Sequence, residues 1–101
     1  MPLKEHEILR TKDVWIRIIE LAPHEEGKWH LHSEVDDNFF GHEGTLLVRT
    51  RDRREEVRLS PGTHFVVAKG RVHQVVNPNE VKGAYLLIQG VGAYDFVAVD
   101  Q

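Results

Sequence analysis

Residues 29–44 read WHLHSEVDDNFFGHEG. His30 and His32 stand two apart. Alternate residues of a β-strand share a face, so the two imidazoles point to one side of a sheet. Asp37 follows after the loop-like Ser33–Asp36. A second stretch, residues 62–77, reads GTHFVVAKGRVHQVVN and carries His73. Three imidazoles and one carboxylate, offered from strands to a common interior, make a site for a divalent metal ion.

The flanking sequence supports strands on both sides. Val14–Leu21 (VWIRIIEL) is β-branched and aromatic, as strands prefer. Its two faces, Val14, Ile16 and Ile18 against Trp15, Ile19 and Leu21, are both largely apolar. Further strands are expected at Trp29–His32, Asp37–Glu43, Thr45–Thr50, Glu55–Leu59, His64–Val67, Val72–Val76, Ala84–Gly90 and Tyr94–Val99, with a lead-in around Glu7–Leu9. Gly44, Arg51–Arg54, Pro61-Gly62, Lys69-Gly70 and Asn77-Pro78-Asn79 supply the turns. No window has helical periodicity. Many short strands between turns predict an all-β sandwich or barrel in one domain, residues 1–101.

Composition narrows the partners. The 101 residues carry a net charge of −3, against the basic surface that nucleic acid requires. The arginines at 49, 51, 53 and 54 are interrupted by Asp52, followed by Glu55 and Glu56, and read as a solvated hairpin tip. The absence of cysteine leaves His, Asp and Glu as metal ligands. No apolar run has membrane-spanning length, and residues 1–10 lack a signal-peptide core. No nucleic-acid or membrane partner is expected, and a cytoplasmic location is the default.

The two stretches together resemble the motifs of the cupin superfamily. The first motif of that family is Gly, five residues, His-x-His, three or four residues, Glu, six residues, Gly; residues 24–44 give His24, then His30-Leu31-His32, Asp37 and Gly44. The second is Gly, five residues, Pro-x-Gly, two residues, His, three residues, Asn; residues 62–77 give Gly62, Ala68-Lys69-Gly70, His73 and Asn77. The departures are His24 for Gly, Asp37 for Glu and Ala68 for Pro. Asp is one methylene shorter than Glu, which draws an ion toward its strand, leaves room for a water, or weakens the site. The resemblance implies a double-stranded β-helix, or jelly-roll barrel. It also implies one divalent transition metal ion (Fe, Mn, Ni, Co, Zn or Cu) on His30, His32, Asp37 and His73. Small single-domain cupins pair through an apolar sheet, so a homodimer is expected through Val14–Leu21.

The rest of the pocket follows from strand parity. With Asp37 inward, Phe39 forms a wall, Gly41 leaves space for a ligand or packs closely, and Glu43 follows inward. Phe65 faces the interior from His64–Val67, whereas His42 and His64 are out of phase and face away. On Ala84–Gly90 either Tyr85, Leu87 and Gln89 or their neighbours point inward. Tyr85, Gln89 and His24 are the candidates for moving protons. Trp15, Trp29 and Tyr94 read as core or interface anchors, and Asp95 as a solvated residue, or as a general base where the tail folds over the barrel mouth. The resemblance then leaves two classes of function. One is a metal-dependent dioxygenase, isomerase or lyase acting on a small organic substrate. The other is a module that binds a small molecule or a metal without turnover.

Overall fold

A computed structural model describes residues 4–100; the ends of the expected domain, residues 1–3 and 101, lie outside the described residues. The ten strands are β1 (Lys4–Arg10), β2 (Val14–Leu21), β3 (His30–Leu31), β4 (Asp36–Glu43), β5 (Leu46–Thr50), β6 (Glu55–Leu59), β7 (His64–Val67), β8 (His73–Val76), β9 (Gly83–Gly90) and β10 (Val97–Ala98). No helix among the described residues is long and apolar enough to cross a membrane. The expected strands are present with ends moved by a few residues. The largest differences are β1, longer at both ends, and β3 and β10, which keep two residues each.

The strands form two antiparallel sheets, ordered β1-β2-β9-β4-β7 and β10-β3-β8-β5-β6. Strand parity sends one face of each sheet inward. The core between them takes Ile19, Leu21, Phe39, Val67, Tyr85 and Leu87 from the first sheet, and Leu46, Val48, Leu59 and Val75 from the second. Burial of these apolar surfaces is the main driving force for closing the barrel. β4 begins Asp-Asp-Asn, a poor strand former by propensity. Pairing with β9 on one side and β7 on the other holds it extended. β1 is an exposed edge strand carrying Lys4, Glu5, Glu7 and Arg10 and a register irregularity between Glu7 and Leu9. Charge and irregularity both discourage a further chain from adding to that edge.

The two motif stretches are stitched together by main-chain contacts. Gly70 N–H donates to the His32 carbonyl at 2.7 Å, and Lys69 N–H to Asp36 Oδ1 at 2.9 Å. His24, where the family motif has Gly, adopts φ 61°, the left-handed region that glycine enters most freely. Asn77, which ends the second motif, is fully buried. Its Nδ2 donates to the carbonyls of Leu21 (3.2 Å), Ala22 (3.1 Å) and Val81 (2.9 Å), and its Oδ1 accepts from Asn79 N–H at 3.0 Å.

Gly41 does not open space for a ligand. Its N–H donates to Thr63 O, and its carbonyl accepts from Gly62 N–H. A Cβ at this position would run into the Ser60 carbonyl. The register shifts between Gly41 and Glu43, so Glu43 is exposed rather than inward. Close backbone approach, not pocket volume, is the reason for glycine here. Gly41→Ala is expected to destabilise the fold by about 1–3 kcal/mol, the usual range for overpacking, as read by urea denaturation. An unchanged midpoint would mean that the β6–β7 turn yields freely.

Candidate metal centre

β3, β4 and β8 bring four side chains together at one end of the core. One ligand atom from each of His30, His32, Asp37 and His73 lies within 4.8 Å of the others. His32, Asp37 and His73 are buried, and His30 is half-buried. His30 and His73 are register partners on β3 and β8. His32 follows immediately after β3, and Asp37 is the second residue of β4.

Each imidazole is fixed through its Nδ1. His30 Nδ1–H donates to Lys28 O at 2.7 Å, His32 Nδ1–H to Asp95 O at 2.5 Å, and His73 Nδ1–H to Arg71 O at 2.8 Å. A carbonyl only accepts, so each hydrogen bond sets the tautomer and leaves Nε2 as the free nitrogen. The Nε2 atoms of His32 and His73 lie 3.2 Å and 2.8 Å from Asp37 Oδ2. The shorter Asp side chain therefore reaches its histidine partners. A nitrogen lone pair facing a carboxylate requires a proton or a cation between them. Metal-binding histidines are oriented in the same way, by an outer hydrogen bond on the second ring nitrogen. The donor set of three imidazoles and one carboxylate thus fits a transition metal ion.

The charges are tuned to this geometry. Burial pulls the His30 imidazole down to about 4, and His73 beside it adds to the shift. Burial also acts downward on His32, but the hydrogen bond and charge of Asp37 outweigh it and leave the imidazole above its ordinary value. For Asp37, burial acts upward; the hydrogen bonds from His32 and His73 overcome it and hold the carboxyl well below the usual carboxylate range.

Gln89 on β9 extends the site. Its Nε2 donates to Asp37 Oδ1 at 2.8 Å, and its Oε1 accepts from Arg17 Nη2. The inward set of β9 is therefore Tyr85, Leu87 and Gln89, while Leu86 and Ile88 sit half-buried on the outer face. Phe39 lines the cavity beside the four residues, as expected. Two other candidates, Phe65 and His24, do not. Phe65 packs against the core cluster instead. His24 stands on the surface, paired with Glu80 at 2.7 Å. His42 and His64, out of phase with the inward set, are exposed and face away, with His64 stacked on Phe40. Tyr85 lines the cavity, but burial first and the Asp37 charge second push its hydroxyl up. It is a poor proton carrier near neutral pH.

Several contributors escaped the sequence reading. Residues 94–96 fold over the histidines. The Phe96 ring stacks on His30 at 4.4 Å between centroids, and Tyr94 lies 5.4 Å from His32. Asp95 is tied down through Ser33, whose N–H donates to Oδ1 at 2.8 Å and whose Oγ donates to Oδ2, so its backbone carbonyl meets His32. Arg17, within the apolar strand β2, is buried and lines the same cavity. Period-two alternation places residue 17 on the face of Ile19 and Leu21, but a charge inside VWIRIIEL reads as an outlier.

Residues 17–89 match the sequence model of the family described as Cupin domain. The chain belongs to the cupin family. Solved structures share its fold. A Klebsiella pneumoniae protein described as uncharacterized, with a double-stranded beta-helix domain, superposes with a TM-score of 0.85; it is 17% identical over 98% of this cupin and 85% of that chain. KdgF from Halomonas sp. is 21% identical over 89% of this cupin and 79% of that chain, with a TM-score of 0.78. An oxalate oxidase is 18% identical over 86% of this cupin, with a TM-score of 0.79, and the match spans 46% of that longer chain. No curated protein matches the sequence.

Proposed function

We propose that this cupin binds one divalent transition metal ion through His30, His32, Asp37 and His73 and acts as a metal-dependent enzyme on a small organic substrate. The observation that carries the reading is the triple Nδ1 anchoring, which aims the histidines at one carboxylate. A bound ion of this type polarises a substrate oxygen or, when redox-active, supports oxygen chemistry. The chain supplies the surroundings. Gln89 orients Asp37, the Asp95 carbonyl holds His32, and Tyr94 and Phe96 screen the histidines from water. Untagged protein is expected to carry about one metal ion per chain by plasma mass spectrometry. His30→Ala/His32→Ala should lose it. A wild type that takes up no ion under any loading condition would refute the reading.

One observation favours a second reading, a binding module without turnover. Among the described lining residues, the groups beyond the four ligands are poorly set for proton transfer. Burial pushes the hydroxyls of Tyr85 and Tyr94 up, Gln89 does not titrate, and Glu5 is engaged by Arg17. A substrate panel with Fe(II), Mn(II), Ni(II) and Zn(II) separates the readings, because turnover with any of them establishes the enzyme.

We also propose a homodimer through the outer face of β1-β2-β9-β4-β7. Register places Ile16, Ile88, Asn38 and Val66 in one row and Ile18, Leu86, Phe40 and His64 in the next, so the apolar part centres on β2, β9 and Phe40. These side chains are half-buried, except Val66 and His64, which are exposed. An apolar face of this kind suits a second copy. Light scattering is expected to give twice the chain mass of 11.6 kDa; a monomer would exclude the pairing.

A further inference from the structure

Arg17 places a charge deep in the barrel. It is 4% exposed, on the inward face of β2 beside Ile19 and Leu21. Its Nη1 donates to Glu5 Oε1 at 3.1 Å, its Nη2 donates to Gln89 Oε1, and its guanidinium lies 3.6 Å from the centre of the Trp15 ring. Its Nε is the one buried side-chain polar atom without a hydrogen-bond partner among the described residues. Buried donors are nearly always satisfied, and a guanidinium presents a planar fork suited to a carboxylate.

The two partners are unequal. Gln89 is buried and braced on its far side by Asp37. Glu5 comes from the exposed edge strand β1, and its side chain is 43% exposed. An ion pair with such a partner is weak and easily exchanged. The cavity that Arg17 lines also contains the four proposed metal ligands, and its volume is about 70 Å³. That is room for about five water-sized atoms.

We propose that the cavity takes a short carboxylic acid, its carboxylate held by Arg17, and that Glu5 occupies the guanidinium until the acid displaces it. This deepens the metal reading, because a second oxygen on the acid faces the His30–His32–Asp37–His73 group. Gln89 separates Arg17 from Asp37 by a single amide. A hydroxyl or keto oxygen on the carbon next to the carboxylate matches that short span. The ligand class is therefore a hydroxy or keto acid of about two or three carbons, given the room for about five water-sized atoms. Glu5 acts as an internal competitor, a carboxylate of the chain in the position of the ligand's carboxylate.

The test is calorimetric titration of metal-free and Zn(II)-loaded protein with glycolate and lactate, each against its neutral amide, glycolamide and lactamide. The acids should bind at least tenfold more tightly than the amides. Arg17→Gln should remove that preference while retaining the wild-type zinc stoichiometry. Glu5→Gln should tighten the acids several-fold and leave the amides unchanged. Equal binding of acid and amide in both protein forms would overturn the proposal, as would an Arg17→Gln variant that keeps the preference. Should Arg17→Gln not fold, Glu5→Gln decides alone, and unchanged acid affinity there refutes the competition. Zinc stoichiometry of the wild type is read separately. Failure of the metal site thus appears as absent zinc uptake, and acid against amide in the metal-free protein still decides the role of Arg17.

Discussion

Asp37→Asn is expected to weaken divalent-ion binding by at least about 100-fold, beyond the roughly 10–100-fold cost of losing a residue that only orients a ligand. Asp37 is the single anion of the donor set. Its Oδ2 faces the Nε2 atoms of His32 and His73, and its Oδ1 accepts from Gln89. An Asn in the same place has no charge, and one of its two positions becomes an NH₂. If that NH₂ faces Gln89, two donors meet; if it faces the imidazoles, it takes the lone pairs that would bind the ion. Competition with a chromophoric zinc chelator measures the change. A loss below tenfold would show that the three imidazoles suffice.

The same group predicts the pH dependence. His30, pulled down to about 4, and Asp37, held low, are already in their ligating forms near neutrality. His32 is raised and keeps part of its proton. Metal uptake should therefore release a proton from His32. Affinity should rise with pH until His32 is fully deprotonated and then level off. In the metal-free protein the linkage has three arms, from Asp37, His30 and His32. Asp37 has a depressed folded value, so its contribution is full above the unfolded carboxylate range, near 4, and is lost as pH falls. His32 has a raised folded value, so its contribution is full below the unfolded value, near 6.5, and is lost as pH rises through the folded one. His30 has a depressed folded value, about 4, so stability climbs as pH rises from there toward the unfolded value near 6.5. Metal-free stability should therefore peak near the upper of those limits, and Asp37→Asn, which removes the cause of the raised His32 value, should abolish the fall above it. Urea midpoints from pH 4 to 8 test this, and a peak that persists in the variant would contradict it.

The four residues of the candidate metal centre were legible because two rules act locally. Alternation along a strand and the motif spacing together name His30, His32, Asp37 and His73 without any tertiary information. The same parity rule identified Phe39 and, on β9, narrowed the choice to two sets. It could not tell Tyr85, Leu87 and Gln89 from Leu86 and Ile88, because both sets are largely apolar and only the packing of a second sheet separates inside from outside. Gly41 was ambiguous for a related reason. Open space and close backbone approach both call for glycine, and the obstructing Ser60 carbonyl belongs to a distant turn. His24 was a candidate by its motif position alone; the position governs a left-handed turn and brings its ring to Glu80. The carbonyls of Lys28, Arg71 and Asp95 left no trace in the sequence, since every residue has a carbonyl and only the fold aims one. Arg17 interrupts VWIRIIEL, but the local pattern does not tell whether a lone charge in an apolar strand faces solvent or a cavity.

The second large effect lies away from the metal group. Asn77→Asp is expected to cost about 3–5 kcal/mol at neutral pH, the scale of an uncompensated buried charge. Asn77 is 0% exposed, and its Nδ2 stands 2.9–3.2 Å from the carbonyl oxygens of Leu21, Ala22 and Val81. Those contacts join the end of β2 to the loop between β8 and β9. A carboxylate oxygen in place of Nδ2 would face three acceptors with no proton to share. The folded protein would then hold the new Asp protonated, with one O–H where two N–H groups had served three carbonyls. Its folded pKa is raised above the unfolded value near 3.9, so the variant should lose stability as pH climbs past that value. Below about pH 4 only the missing hydrogen bonds remain, at roughly 1–3 kcal/mol for a buried group left unsatisfied. Urea denaturation of wild type and variant at pH 4 and pH 7 gives both numbers. A gap that widens with pH identifies the buried amide as the brace. An equal gap at both values would mean that the loop opens and lets water reach the carboxylate.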